Sequence, residues 1–310
     1  MKTFLIKCIL FFSPFLIFLS IWISIYGIPP PNLSSDISFN AKMLHIKERH
    51  LGGDITVIAI GSSMTLNNIH TPTITKYLGK GYVSISSWGQ NMEDDFYLLK
   101  IFGEYYKPKI LLISSNYMDF TKYSKRIRFN QIGQYLRYGN IVAYEGVGLN
   151  YCFRESKKHY QMKHNKYAYS SLHYDDCGGV NLPTHNFVIS DKRWAGAGIS
   201  QFKLDPGQYS YLDSISRYCK AAGIKLVFAQ SPYRYGYYSQ LSEVESSMLN
   251  AHKSKIDSIL TNYGQSFIDS QKNRWDDSLF ADYSHLNENG AKKFTEFFIE
   301  KSFNRSIGKD

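Results

Sequence analysis

Residues Ile55 to Thr65 read ITVIAIGSSMT. The run from Ile55 to Ile60 is apolar apart from Thr56 and mostly β-branched, the pattern of a strand buried on both faces. It stops at Gly61, and Ser62 and Ser63 follow at the point where a strand gives way to a helix. Four further runs repeat the theme: YVSISS (Tyr82–Ser87), KILLISS (Lys109–Ser115), KLVFAQS (Lys225–Ser231) and SFIDS (Ser266–Ser270). Helical patterns fall between or after them, at about Glu93–Tyr105, Gln208–Ala222 with Gly223 as a stop signal, Glu243–Tyr263, and Glu288 or Asn289 to Phe303. Strands separated by helices of this length imply right-handed crossovers and a parallel sheet covered on both faces. The chain is thus predicted to be an α/β protein, a three-layer α/β/α sandwich with a parallel sheet.

Between Asn116 and Gln201 the periodicity lapses into Tyr, His, Lys, Gly and Asn. The stretch from about 117 to 200 reads as an irregular insertion over the functional site. Ahead of the domain, Cys8–Tyr26 (CILFFSPFLIFLSIWISIY) holds no charge and is mostly Ile, Leu and Phe. A helix of about 20 such residues crosses the hydrocarbon core of a bilayer. Lys2 and Lys7 precede it, which keeps the N-terminus cytoplasmic and sends the rest outward. A cleaved signal peptide is the rival reading. Against it, the apolar run is long and Gly-Ile-Pro-Pro-Pro follows in place of a small-x-small cleavage site. The favoured organisation is residues 1–27 as a cytoplasmic stub and transmembrane signal anchor, 28–53 as a stalk, and 54–310 as the functional domain. Pro29–Pro31 stiffen the start of the stalk, and AKMLHIKERH (Ala41–His50) reads as a short helix within it.

Composition narrows the function classes. At 310 residues, 44% apolar and 20% charged, the chain has material for a sizeable core, which excludes wholesale disorder. The net charge is +10, from 36 Lys and Arg against 26 Asp and Glu. Such a surface suits nucleic acid, anionic lipid or an acidic polymer, but no basic stripe, zinc spacing or RNA-binding signature supports nucleic acid. Aromatics make up 16% of the chain, which suits sugar rings and core packing alike. Cys8 falls in the apolar N-terminus; among Cys152, Cys177 and Cys219 at most one bridge forms, with Cys152–Cys177 the best guess.

In open α/β sheets the reactive groups gather at the carboxyl ends of the strands. Four short motifs fall there. Gly61–Thr65 (GSSMT) follows the first strand and exposes a Ser hydroxyl in a tight turn. Gly89, in Ser-Trp-Gly-Gln-Asn, lies past the second, where a Gly lets a substrate oxygen approach the main-chain N–H. Asn116, in Ser-Ser-Asn-Tyr-Met-Asp, lies past the third. Asp282 and His285, in DYSHLNENGA, precede the last helix. The residue types suit one chemistry. A neutral Ser hydroxyl needs a base, a His can supply it, and a carboxylate three residues earlier can orient that His. Ser63, Gly89 and Asn116 would then donate to the oxyanion. Each has a purely structural reading as well: Ser63 as a helix N-cap, Gly89 as a turn Gly, Asn116 as an Asx turn, Asp282 as a loop cap with Asp276 or Asp277 in its place beside the His. Trp88, Tyr117, Tyr233 and Arg234 adjoin the strand ends and read as a sugar cleft, or as packing beneath the insertion.

In this order the four blocks resemble the SGNH (GDSL-like) hydrolase superfamily, over roughly Ile55 to Phe303. The resemblance implies Ser63 as nucleophile, Asp282 and His285 as its D-x-x-H partners, and Ser63, Gly89 and Asn116 as oxyanion hole. Ser62 stands where the family usually has Asp. That Gly-Ser-Ser form, with Ser-Pro-Tyr-Arg (Ser231–Arg234), is similar to a membrane-anchored branch with relatives in polysaccharide O-acetylation and teichoic-acid D-alanylation. The Asn116 block lacks the family's usual Gly-x-Asn-Asp form. What the resemblance implies is a serine acyl-transfer enzyme outside the bacterial cytoplasmic membrane, on the periplasmic side. Its expected reaction is O-acetylation of an envelope or secreted polysaccharide, with a multi-spanning membrane acyltransferase as acyl donor and no metal or cofactor. A carbohydrate O-acetyl esterase with the same triad, and a non-catalytic accessory protein of a glycan-modification complex, are the alternatives.

Overall fold

A computed structural model describes residues 2–49, 53–122, 126–139, 144, 146–184 and 189–303. In chain order, α1 (Lys2–Tyr26) and α2 (Ile37–Arg49) precede β1 (Val57–Ala59), α3 (Ser63–Asn68), α4 (Thr71–Leu78) and β2 (Tyr82–Ser84). Then come α5 (Met92–Tyr106), β3 (Ile110–Ser115), a 3-10 turn (Tyr117–Phe120), α6 (Phe129–Tyr138), α7 (Leu149–His164) and α8 (Asp191–Ala195). The chain closes with α9 (Pro206–Ala222), β4 (Lys225–Gln230), α10 (Tyr235–Tyr238), α11 (Glu243–Asn262), β5 (Ser266–Asp269) and α12 (Glu288–Phe303). The five strands form one parallel sheet in the order β2-β1-β3-β4-β5. The order reverses at β1, and Ser63 stands just beyond the carboxyl end of that strand.

The two-residue period of a strand sends alternate side chains into opposite layers. Ile58 and Ile60 join Leu111, Ile113, Leu226 and Phe228 against the layer that includes α5, α9 and α11. Val57 and Ala59 join Leu112, Val227 and Ala229 against α4 and α12, where Phe294 and Phe298 are fully buried. The three-layer sandwich is therefore as expected. Gly61 is needed at the end of β1: its φ is +150°, and a Cβ there would stand 2.2 Å from Thr65 Oγ1. That hydroxyl donates to Ser114 O at 2.7 Å and accepts from Ser114 N at 3.0 Å, tying α3 to β3.

The stretch expected as a stalk is part of the domain. Leu33, Phe39, Met43 and Ile46 are buried in the same cluster as Ile58 and Leu111. Pro30 and Pro31 are buried too, and the Tyr144 hydroxyl donates to Pro29 O. Even Lys42 of α2 is fully buried, donating to Gly178 O with its ammonium 4.1 Å from the Tyr174 ring centre. His50, the end of the helix expected there, lies outside the described residues.

The insertion, expected to be irregular, contains the 16-residue helix α7. Its sequence hides the helix because its apolar stripe faces α1 in place of the core: Phe153 packs on Phe18 and Trp22, and Tyr160 on Tyr26. All four cysteines are free, which corrects the Cys152–Cys177 expectation. Cys152 sits on α7, whereas Cys177 packs beside β2, where its carbonyl accepts from Ser84 N.

Candidate active site

Ser63 is the first residue of α3, and Ser62 is the cap. The Ser62 hydroxyl accepts from Met64 N at 3.1 Å, so the N-cap role belongs to Ser62 and leaves the Ser63 side chain for the site. His285 reaches it from the loop before α12. His285 Nε2 lies 2.8 Å from Ser63 Oγ, and Nδ1 lies 2.8 Å from Asp282 Oδ2. An ionised Asp282 only accepts, so Nδ1 carries the proton and Nε2 presents its lone pair to the Ser63 hydroxyl.

Asp282 is 1% exposed. Burial works against its charge, but the facing imidazole and the bonds from Ser284 N (2.8 Å) and His285 N (2.7 Å) outweigh it and hold the carboxyl at about 2. The competing acids are engaged elsewhere. Asp277 pairs with Arg234 at 2.6 Å, and Asp276 caps the turn at Ser278. Asn68, at the end of α3, holds the His loop in place: its Oδ1 accepts from Leu286 N at 2.9 Å.

Ser63, Gly89, Asn116 and His285 line one cavity of about 310 Å³, with Met118, Asp119 and Tyr283 among its other walls. Gly89 has φ +58°, the left-handed conformation that a Gly adopts without strain. Asn116 makes the Asx turn that its residue type suggests, Oδ1 accepting from Met118 N at 2.9 Å. That bond uses the carbonyl end of the amide and not Nδ2. The two readings of Asn116, turn former and amide donor, are therefore compatible.

Two contributors escaped the sequence reading. Asp119 Oδ2 accepts from Asn116 N at 3.1 Å and Ser115 Oγ at 3.0 Å, and its carboxylate also bonds the Ser62 hydroxyl. One acid thus braces both the Ser62–Ser63 turn and the Asn116 turn. Burial pushes it up to about 6, against the pull of these bonds. Tyr169 descends from the insertion, and its hydroxyl donates to Asp282 Oδ2 at 2.7 Å. The Asn-x-x-Asp spacing from Asn116 to Asp119 was a usable signal for the first; nothing local marks the second.

The four residues expected to line a sugar cleft are not among the cavity's walls. Tyr117 and Tyr233 are each 2% exposed, packed around Tyr237 and Leu249. The Arg234 guanidinium is held by Asp277 and by two bonds to Trp194 O. Trp88 packs against Ile37, Ala41 and Leu172. A position near a strand end did not fix which way these side chains point, and their apolar area was satisfied by packing.

No family model matches the chain, and neither does any curated protein. Among solved structures it is similar to a protein assigned as an acylhydrolase from Bacteroides fragilis, with TM-score 0.40 and 12% identity over 80% of this chain and 86% of that one. It is also similar to a GDSL-like lipase from Bacteroides thetaiotaomicron, with TM-score 0.44 and 7% identity over 86% and 98%. At such scores the reading of the site rests on its own geometry.

Proposed function

We propose that the protein is a serine acyl-transfer enzyme of the SGNH type. The observation that carries this reading is the position of His285, 2.8 Å from Ser63 Oγ on one side and 2.8 Å from a buried, ionised Asp282 on the other. In the first half-reaction Ser63 Oγ attacks an ester carbonyl while His285 Nε2 takes the hydroxyl proton. The oxyanion accepts bonds from the Ser63 and Gly89 N–H groups and the Asn116 amide. Collapse expels the alcohol, which leaves with the proton from His285, and Ser63 carries the acyl group. In the second half an acceptor hydroxyl loses its proton to His285 and attacks the acyl-Ser63 carbonyl, and collapse breaks the bond to Ser63 Oγ, which takes the proton back from His285.

The acceptor we assign is a sugar hydroxyl of an envelope or secreted polysaccharide, and the acyl group acetyl. α1 supports the setting: Ile6–Tyr26 is long and apolar enough to cross a membrane, and Lys2 and Lys7 on its N-terminal side favour a cytoplasmic N-terminus. The domain would then stand outside the cytoplasmic membrane, in the periplasm, with a multi-spanning membrane acyltransferase passing the acyl group across. With water as acceptor the same residues make a carbohydrate esterase.

The test is incubation of the full-length protein with a short-chain aryl ester, mass spectrometry of the Ser63 peptide, and ester content of the host's envelope glycan in a chromosomal Ser63→Ala strain. An acetylated Ser63 with reduced glycan ester supports the transferase. Raised glycan ester assigns the esterase. No acyl-enzyme and no change in ester overturns the enzymatic reading and leaves an accessory role.

A further inference from the structure

α1 does not leave the domain as a free tether. The Trp22 indole N–H donates to Ser156 Oγ of α7 at 2.8 Å. Phe18 meets Phe153 with ring centres 5.6 Å apart, Trp22 meets Phe153 at 4.9 Å, and Tyr26 meets Tyr160 at 5.5 Å. Contacts that advance together along both chains mean that α1 and α7 run side by side in the same direction.

Length then fixes where α7 stands. A bilayer's hydrocarbon core is about 30 Å thick and takes about 20 helical residues. Were Phe18 to Tyr26 outside it, the uncharged run after Lys7 would retain Cys8–Ile17, a stretch of about 15 Å, half of what a span needs. The turns of α1 that touch α7 are therefore within or at the edge of the membrane, and α7 is there with them.

Particular residues of α7 fit this placement, and Arg154, beside Phe153, is paired with Glu155 at 2.8 Å. Leu149 continues the stripe of Phe153, Ser156 and Tyr160 one turn deeper and is 55% exposed. Lys157 and Lys158, one turn beyond Phe153, are exposed at the level of Trp22 and Tyr26, the residue types that favour the headgroup zone.

We propose that α7 is a membrane-contacting helix. Its first turns, Leu149 to Phe153, lie at the acyl–headgroup boundary of the leaflet nearest the domain, and Lys157 and Lys158 bind anionic lipid phosphates. The domain is seated on the bilayer, not held above it. This rests on the reading of α1 as a membrane span.

The test places p-benzoylphenylalanine, in separate full-length proteins, at Ile21, Leu149 or Val244. Each is reconstituted in vesicles of phosphatidylcholine with phosphatidylglycerol, irradiated, and searched for phospholipid adducts by mass spectrometry. Adducts at 21 and 149 but not at 244 are expected. Adducts at 21 with none at 149 overturn the seating and leave the span standing. None at 21 overturns the span, and the seating with it. In the second arm Lys157→Glu/Lys158→Glu should lower the adduct yield at 149 several-fold in these vesicles but not in phosphatidylcholine alone. An unchanged yield in both overturns the phosphate contact.

Discussion

The Tyr169 hydroxyl donates to Asp282 Oδ2 at 2.7 Å, so the carboxylate that orients His285 is itself held by a residue of the insertion. The same hydroxyl lies 2.9 Å from His285 Nδ1, and the Arg193 guanidinium lies 4.0 Å from the centre of the Tyr169 ring. Through Tyr169 the insertion thus reaches the Ser63–His285–Asp282 set at Asp282, while Met118 and Asp119 at its start line the cavity beside Ser63.

Tyr169→Phe should leave the fold intact and lower kcat/KM about ten- to a hundredfold, the scale of one hydrogen bond to a charged group. A Phe variant that folds as wild type and keeps its full kcat/KM would reduce Tyr169 to a packing role.

Asn116 offers a substitution that separates its two roles. Asn116→Asp keeps an oxygen to accept from Met118 N, so the turn survives, but it removes the amide donor. Its kcat should fall about 10²- to 10³-fold, the usual loss for one oxyanion-hole donor. Its melting temperature should approach that of wild type at pH 4, where the new carboxyl beside Asp119 is protonated, whereas Asn116→Ala should lose both turn and donor at any pH. An Asp variant with full kcat would leave the oxyanion hole to the backbone N–H groups of Ser63 and Gly89.

What the sequence reveals of this molecule depends on how local each signal is. The strand at Ile55 is legible because burial on both faces leaves no polar alternation to interpret. Asp282 and His285 are legible because three residues of spacing already brings carboxylate and imidazole together, and the Ser62–Ser63 turn is legible from its place after β1. Tyr169 is different: its partner is more than a hundred residues away and its own neighbourhood has no period. α2 misleads because Lys42 and Asn40 make it look solvated, yet both are buried with bonds to backbone groups. α7 misleads because its apolar stripe is matched to another helix outside the core.

Ser62 stands where the SGNH resemblance leads one to expect a carboxylate, and its hydroxyl bonds the carboxylate of Asp119. Burial raises this acid from 3.8 to about 6. A carboxyl raised on folding contributes stability that is full below its unfolded value and is lost as pH rises through the folded one. The stability of Asp119→Asn relative to wild type should therefore improve between pH 4 and pH 6.5, by roughly 1–2 kcal/mol. Denaturant unfolding of both proteins across that range checks it; parallel curves would mean that Asp119 is ionised as easily in the fold as outside it.

Lys42 tests whether α2 belongs to the folding unit. Its ammonium is fully buried, and burial lowers it from 10.5 to about 7, with Asp175 pulling the other way. A base lowered on folding contributes stability that is full above the unfolded value and is lost as pH falls through the folded one. Wild type should therefore gain stability from pH 7 to pH 9 relative to Lys42→Met, by on the order of 2 kcal/mol. At pH 7 and below, the Met variant should equal or exceed wild type, because an apolar chain of similar length avoids burying the charge. If α2 were a free stalk, position 42 would be solvated and the two proteins would unfold alike at every pH. A pH-independent difference would mean that Lys42 keeps its proton in the fold as it does outside it, with the bond to Gly178 O holding the ammonium, and α2 would remain part of the fold.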